Sequence, residues 1–167
     1  MKKQIIVLTM LIGACALQAQ TLSEKDKKFI KEAAQGNAME VKLGQLAQTN
    51  GSSAEVKSLG QQMVADHSKS GEDLKLLAQK KNIIVPYGLS EKEQMAYDKL
   101  SKKQGVEFDK AYTKCMVKDH KKDICEFKRE AKHGSDDEVK NWASNTISVL
   151  EHHKQMSIDA CKAVHKK

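Results

Sequence analysis

The sequence predicts an all-α fold, a four-helix bundle, and three observations carry that prediction. One proline in 167 residues and an aromatic content of 4% favour helix over sheet. In four long segments apolar residues recur every three or four positions, the period of an amphipathic helix. A five-residue motif, Met63-Val64-Ala65-Asp66-His67, also returns as Met116-Val117-Lys118-Asp119-His120 with only its middle residue changed. Each copy sets a histidine into an apolar stripe.

Residues 1–19 have the order of a secretory signal: Met1-Lys2-Lys3, then an apolar run from Ile5 to Ala16 too short to span a membrane. Two processing routes are open. Leu17-Gln18-Ala19 suits ordinary cleavage before Gln20, and Leu11-Ile12-Gly13-Ala14-Cys15 reads as a lipobox that would leave a lipid anchor on Cys15. Either route places residues 20–167, expected to be a single domain, outside the cytoplasm, in the periplasm or cell envelope. No other apolar stretch approaches the roughly 20 residues of a transmembrane span. Loss of Lys2 and Lys3 lowers the formal charge from +7 to +5, with 27 basic residues against 22 acidic. The lysines alternate with acids, as in Glu24-Lys25-Asp26-Lys27-Lys28, which is the pattern of a solvated surface. No aromatics interleave with them, so no nucleic-acid partner is expected. The sequence leaves other partners open, a second copy of the chain included.

The helices follow in order. Ser23 with Asp26 three residues on is a capping-box start, and the first helix runs to about Thr49. Asn50-Gly51-Ser52-Ser53 ends it and caps the second, which runs from Ser53 or Ala54 to about Lys81 past two small residues, Gly60 and Gly71, suited to close helix approach. Pro86 and Gly88 break the chain. A short helix is expected over 90–102, a third long one over 106–132, and a fourth from the Gly134-Ser135-Asp136 cap to about Val164. The short first and last loops make two antiparallel hairpins. The connection between them, some 23 residues, is long enough to run the length of the bundle, so a crossover and a simple up-and-down order both stay open.

One ligand-type side chain interrupts each apolar stripe. Glu40 stands in the line Phe29, Ala33, Gly36, Leu43, Ala47; His67 in Val56, Leu59, Met63, Leu74, Leu77; His120 in Tyr112, Met116, Ile124, Phe127, Ala131; His153 in Val139, Trp142, Thr146, Leu150, Met156, Ala160. Helical geometry prefers His153 to His152, which points about 100° away. His133 and His165, near helix ends, are expected at the surface.

The runs Ala33 to Val41, Val56 to Leu59 leading into His67, Gly105 to Tyr112 and Leu150 to His153 resemble the bacterial family known as domain of unknown function 4142, in family order over essentially the whole chain after the signal. That resemblance implies a ferritin-like, exported protein, often labelled periplasmic or outer-membrane, with no established activity. Ser148 departs from it where a proline is frequent, and the cysteines are not a family feature.

One glutamate and three histidines suffice for a mononuclear transition-metal centre of Zn, Fe, Cu or Mn. The Glu-x-x-His pairs of a di-iron bundle are absent: Met63 and Met116 stand four before the repeated histidines, and Leu150 three before His153. Ferroxidase or oxygenase chemistry therefore does not follow from the resemblance. Two other readings compete: a hydrogen-bonded polar layer that sets helix register in an envelope structural or interaction module, and a site for something else, such as an organic anion. Asp66 and Asp119, one residue off the stripes, read as surface or supporting groups. No nucleophile elbow, glycine-rich phosphate loop or zinc-ribbon cysteine spacing suggests an enzyme. Cys115 and His120, five apart, are poorly spaced as thiolate and base, and the methionines read as packing residues. If His120 is level with His153, Cys115 and Cys161 are offset by about 5 Å along the axis and Cys125 and Cys161 by about 20 Å. The expected disulfide is therefore Cys115–Cys161, with Cys125 free.

Overall fold

A computed structural model describes residues 22–86 and 88–166; the expected signal segment, with Cys15 and the Ala19 cleavage point, lies outside them. The described residues form five helices and no strand: α1 (Glu24–Asn50), α2 (Ala54–Lys80), α3 (Glu91–Ser101), α4 (Gly105–His133) and α5 (Asp137–His165). Helix starts follow the local chemistry of their caps. The Ser23 hydroxyl accepts from the Asp26 amide at 3.1 Å and the Asp26 carboxylate accepts from the Ser23 amide at 3.0 Å. Ser90 and Glu93 repeat this box at α3, Ser53 caps α2, and Asp136 accepts from the Glu138 and Val139 amides of α5. At the start of α4, Gly105 adopts φ +59°, a left-handed conformation open to glycine. None of these helices is long and apolar enough to cross a membrane.

Bonds between helix ends fix the topology. Asn50, ending α1, donates to the carbonyls of Ser101 and Lys103 just before α4, at 3.1 and 2.9 Å. Lys81, ending α2, pairs with Asp136 at the start of α5 at 2.6 Å. Asp26, opening α1, accepts from Ser135 between α4 and α5 through its amide at 3.1 Å and its hydroxyl at 2.7 Å. Hence α1 and α5 point one way, α2 and α4 the other, and residues 81–104 recross the bundle. Of the two orders open from sequence, the structure has the crossover. Its short helix packs on α1, with Leu100 in the core and Lys42 over the Tyr97 ring at 5.9 Å.

The two turns are held reciprocally. Asp109 of α4 accepts from the Ser52 and Ser53 amides and the Ser52 hydroxyl at 2.5–3.0 Å, bracing the α1–α2 turn as Asp26 of α1 braces the α4–α5 turn. Beside Asp26, burial and that carboxylate push Glu130 up to about 7. Within the first hairpin the helices touch at glycine: a Cβ on Gly60 would sit 2.6 Å from the Gly44 carbonyl and 2.7 Å from the Ala47 Cβ.

Two apolar clusters fill the bundle. One contains Leu43, Ala47, Leu59, Met63, Phe108 and Met116, the other Phe29, Leu74, Ile124, Phe127, Val139 and Leu150. Along every long helix, the ligand-type residue of the stripe falls between them. The site is thereby set in the middle of the bundle, screened at both ends by hydrocarbon.

Candidate metal centre

His67 from α2, His120 from α4 and His153 from α5 meet in this middle layer, with ring centroids 5.1, 5.3 and 5.7 Å apart. Each ring has one nitrogen committed to an acceptor. His67 Nδ1 donates to Asn37 Oδ1 at 2.9 Å, and His153 Nε2 donates to Asp66 Oδ2 at 2.7 Å. His120 Nδ1 donates to the Met116 carbonyl at 3.0 Å, four residues back on its own helix. A neutral imidazole with its proton on one nitrogen has a lone pair on the other. Those other atoms, His67 Nε2, His120 Nε2 and His153 Nδ1, are buried and have no protein partner.

One ligand atom of each histidine lies within 4.8 Å of those of the other two. Burial holds His67 down to about 3 and His120 down to about 4, and the neighbouring histidines reinforce it. Burial lowers His153 as well, against the opposing pull of Asp66. All three are neutral near pH 7, the form that coordinates metal ions. Asp66 and Asn37 hold their rings from outside, the role such partners have around metal-bound histidines.

The family model described as Domain of unknown function (DUF4142) matches residues 14–159. The chain belongs to this family. No curated protein and no solved structure matches it.

Of the four expected ligands of this DUF4142 chain, the structure groups three. Glu40 is buried, at 4% exposure, but its carboxyl is not in the group within 4.8 Å. It lies instead near Asp119, Asp123 and Tyr112 of α4. Burial, then the charges of Asp119 and Asp123 on α4, raise it well above the carboxylate range. Its Oε2 and the nearby Tyr112 hydroxyl have no protein partner. The stripe showed which turn of α1 faces inward without giving the side chain's direction around the axis.

The same omission undoes the expected Cys115–Cys161 disulfide. Cys115, Cys125 and Cys161 are free thiols. Cys115 donates to Asp119 at 3.0 Å, and Cys161 lines a groove with Val117, Ile158 and His165. Val117 is about 200° around α4 from Cys115, so equal height does not bring the two sulfurs face to face. His152, His133 and His165 are exposed, as expected. Asn37 was not anticipated. An asparagine inside a 27-residue helix, where its propensity is poor, is the signal that could have marked it.

Proposed function

We propose that this chain is an exported, ferritin-like bundle that binds one transition-metal ion through His67 Nε2, His120 Nε2 and His153 Nδ1. The observation that carries this reading is the packing of three rings in one buried layer, each with one nitrogen tied to an acceptor and the other without a protein partner. A self-satisfied polar layer would pair these nitrogens with protein groups, since buried polar atoms are costly when unpaired. The rings do not bond to one another.

Three atoms all within 4.8 Å of one another leave a point between them no more than about 2.8 Å from each. Bonds of about 2.0–2.1 Å need the rings to close by at most about 0.7 Å, within reach of small side-chain rotations. Imidazole donors select Zn, Cu, Ni or Fe over Mg and Ca. The crossover between parallel α2 and α4 supports the ferritin-like assignment, and the charged and apolar order of residues 1–19 supports export.

Elemental analysis and thermal melts of the chain, purified without a histidine tag and titrated with Zn, Cu, Mn and Fe(II), test the reading. One ion per chain is expected, with a metal-dependent rise in melting temperature that His120→Ala abolishes. Stoichiometric binding that survives loss of all three histidines would refute it, as would no binding.

A further inference from the structure

On α4 the charges do not alternate; they are sorted by side. Lys110, Lys114, Lys118, Lys121, Lys128 and Lys132 follow one another at helical spacing, with Cys125 in the one gap, and all of them are exposed. At about 100° per residue they fall within a sector of about 80°, and at about 1.5 Å per residue the row is about 33 Å long. The acids of the helix from Asp109 onwards, namely Asp109, Asp119, Asp123, Glu126 and Glu130, lie more than about 120° around the axis from the row's midline. Glu107, at the start of the row, is engaged by Lys103. Among the described residues, Lys128 alone of the six has an acidic partner, Glu151 of α5 at 2.7 Å. Like charges four residues apart repel and weaken a helix, so the row carries a repulsion that an anionic surface would relieve.

The surroundings decide what kind of anion fits. The row stands on the convex outer face of α4, whereas a polyanionic thread is held in a basic groove, with aromatic side chains to stack on if it carries bases. No aromatic residue stands in the row. An apolar groove of about 340 Å³ opens beside it, lined by Val117 of α4 and by Ile158, Cys161, Lys162 and His165 of α5. Val117 is level with Lys114, Lys118 and Lys121 and about 50° around α4 from the row's midline. A polysaccharide offers such a groove nothing apolar. A lipid surface presents anion and hydrocarbon side by side, and lysine can hold its ammonium at the headgroups while its stem lies along apolar surface.

We propose that the outer face of α4, together with this groove, is a docking surface for an anionic lipid bilayer. The bundle lies on the membrane with α4 along it and does not enter, since no described helix is long and apolar enough to cross. Lysines act as point charges without the fork of arginine, so the face reads negative charge and not the shape of one headgroup. The proposal is independent of the metal site.

The test is co-sedimentation with phosphatidylcholine vesicles with and without phosphatidylglycerol. The ratio of the two affinities is compared between variants, so that contributions from residues 1–21 cancel. Each lysine brought to an anionic surface contributes about fivefold. Lys114→Glu with Lys121→Glu should therefore lower the ratio by at least about twentyfold. The control is Lys57→Glu with Lys75→Glu, the same charge change at exposed positions of α2. Both α2 and α4 pack on α1 and α5, so α2 stands diagonal to α4, and its outer face is more than a Debye length of about 8 Å from the row. This pair should change the ratio by less than about twofold. Ile158→Thr should weaken binding to the anionic vesicles about threefold, near the worth of one buried methylene, and leave binding to dextran sulfate unchanged. Circular dichroism melts establish that every variant folds. Equal binding to both kinds of vesicle would overturn the proposal, as would an equal fall in the two lysine variants. Dextran sulfate bound as tightly as the anionic vesicles, with Ile158→Thr felt by neither, would overturn it too and make the face a seat for a polyanionic chain.

Discussion

Replacing His120 by glutamine in the metal-free chain turns the burial of a neutral imidazole into a measurable pH dependence. Folded, His120 is held down to about 4; in the unfolded chain it returns to the ordinary 6.5. The unfolded state therefore takes up the proton first on acidification. The stability tied to His120 is fully present above pH 6.5 and drains away as pH falls towards 4. Between pH 8 and pH 5 the parent should lose about 2 kcal/mol through this residue alone. Buried carboxyls contribute in the opposite sense, so the quantity to read is the difference between parent and His120→Gln, in which those contributions cancel. Urea unfolding of both proteins at pH 8, 6.5 and 5, with chelator present, gives it. The variant should be less stable than the parent at pH 8 and should recover about 2 kcal/mol relative to it by pH 5. Stability curves that run parallel across this range would show that the imidazole reaches water, and would remove the dry layer on which the metal reading rests.

Other substitutions probe the supports. Asp66→Ala leaves His153 Nε2 without its acceptor and should lower metal affinity by about ten- to a hundredfold, checked by chelator competition. Glu130, pushed up to about 7, contributes stability that is full below its ordinary 4.5 and is lost as pH rises through 7. Glu130→Gln should therefore gain about 1–2 kcal/mol on the parent from pH 5 to pH 8, discounted because the pair with Asp26 lies at the bundle's end near water. Gly60→Ala drives a methyl group to within 2.6 Å of the Gly44 carbonyl, and overpacking of this kind costs about 1–3 kcal/mol, read as a lower urea midpoint.

The helices were legible because their signals are local. Ser23 with Asp26, the Asn50–Ser53 stop, Ser90 with Glu93 and Asp136 each act within four residues, and apolar periodicity gave the inward stripe of every long helix. That periodicity also selected His67, His120 and His153 over the three other histidines, since burial of a polar ring in a stripe is a one-dimensional fact. What it cannot carry is rotation between neighbouring helices. Glu40 and the Cys115–Cys161 pair were both placed by height along the bundle, and both turn to other neighbours around the axis. Long-range polar bonds were hidden for a related reason. The partners of Asp26 and Asp109 at the turns, Ser135 and Ser52, lie 109 and 57 residues away. The crossover rested on such bonds too, because a connection long enough to recross the bundle is also long enough not to.

The histidines are divided unequally between the hairpins: His67 belongs to α1–α2, while His120 and His153 both belong to α4–α5. Neither half of the molecule, separated from the other, carries all three nitrogens. An ion held at this level is thus a fastener across the seam between halves. Its release and the parting of the halves are linked equilibria, so its occupancy would register whether the two hairpins are joined, and any influence that loosens the seam would be felt as a weaker hold on the ion.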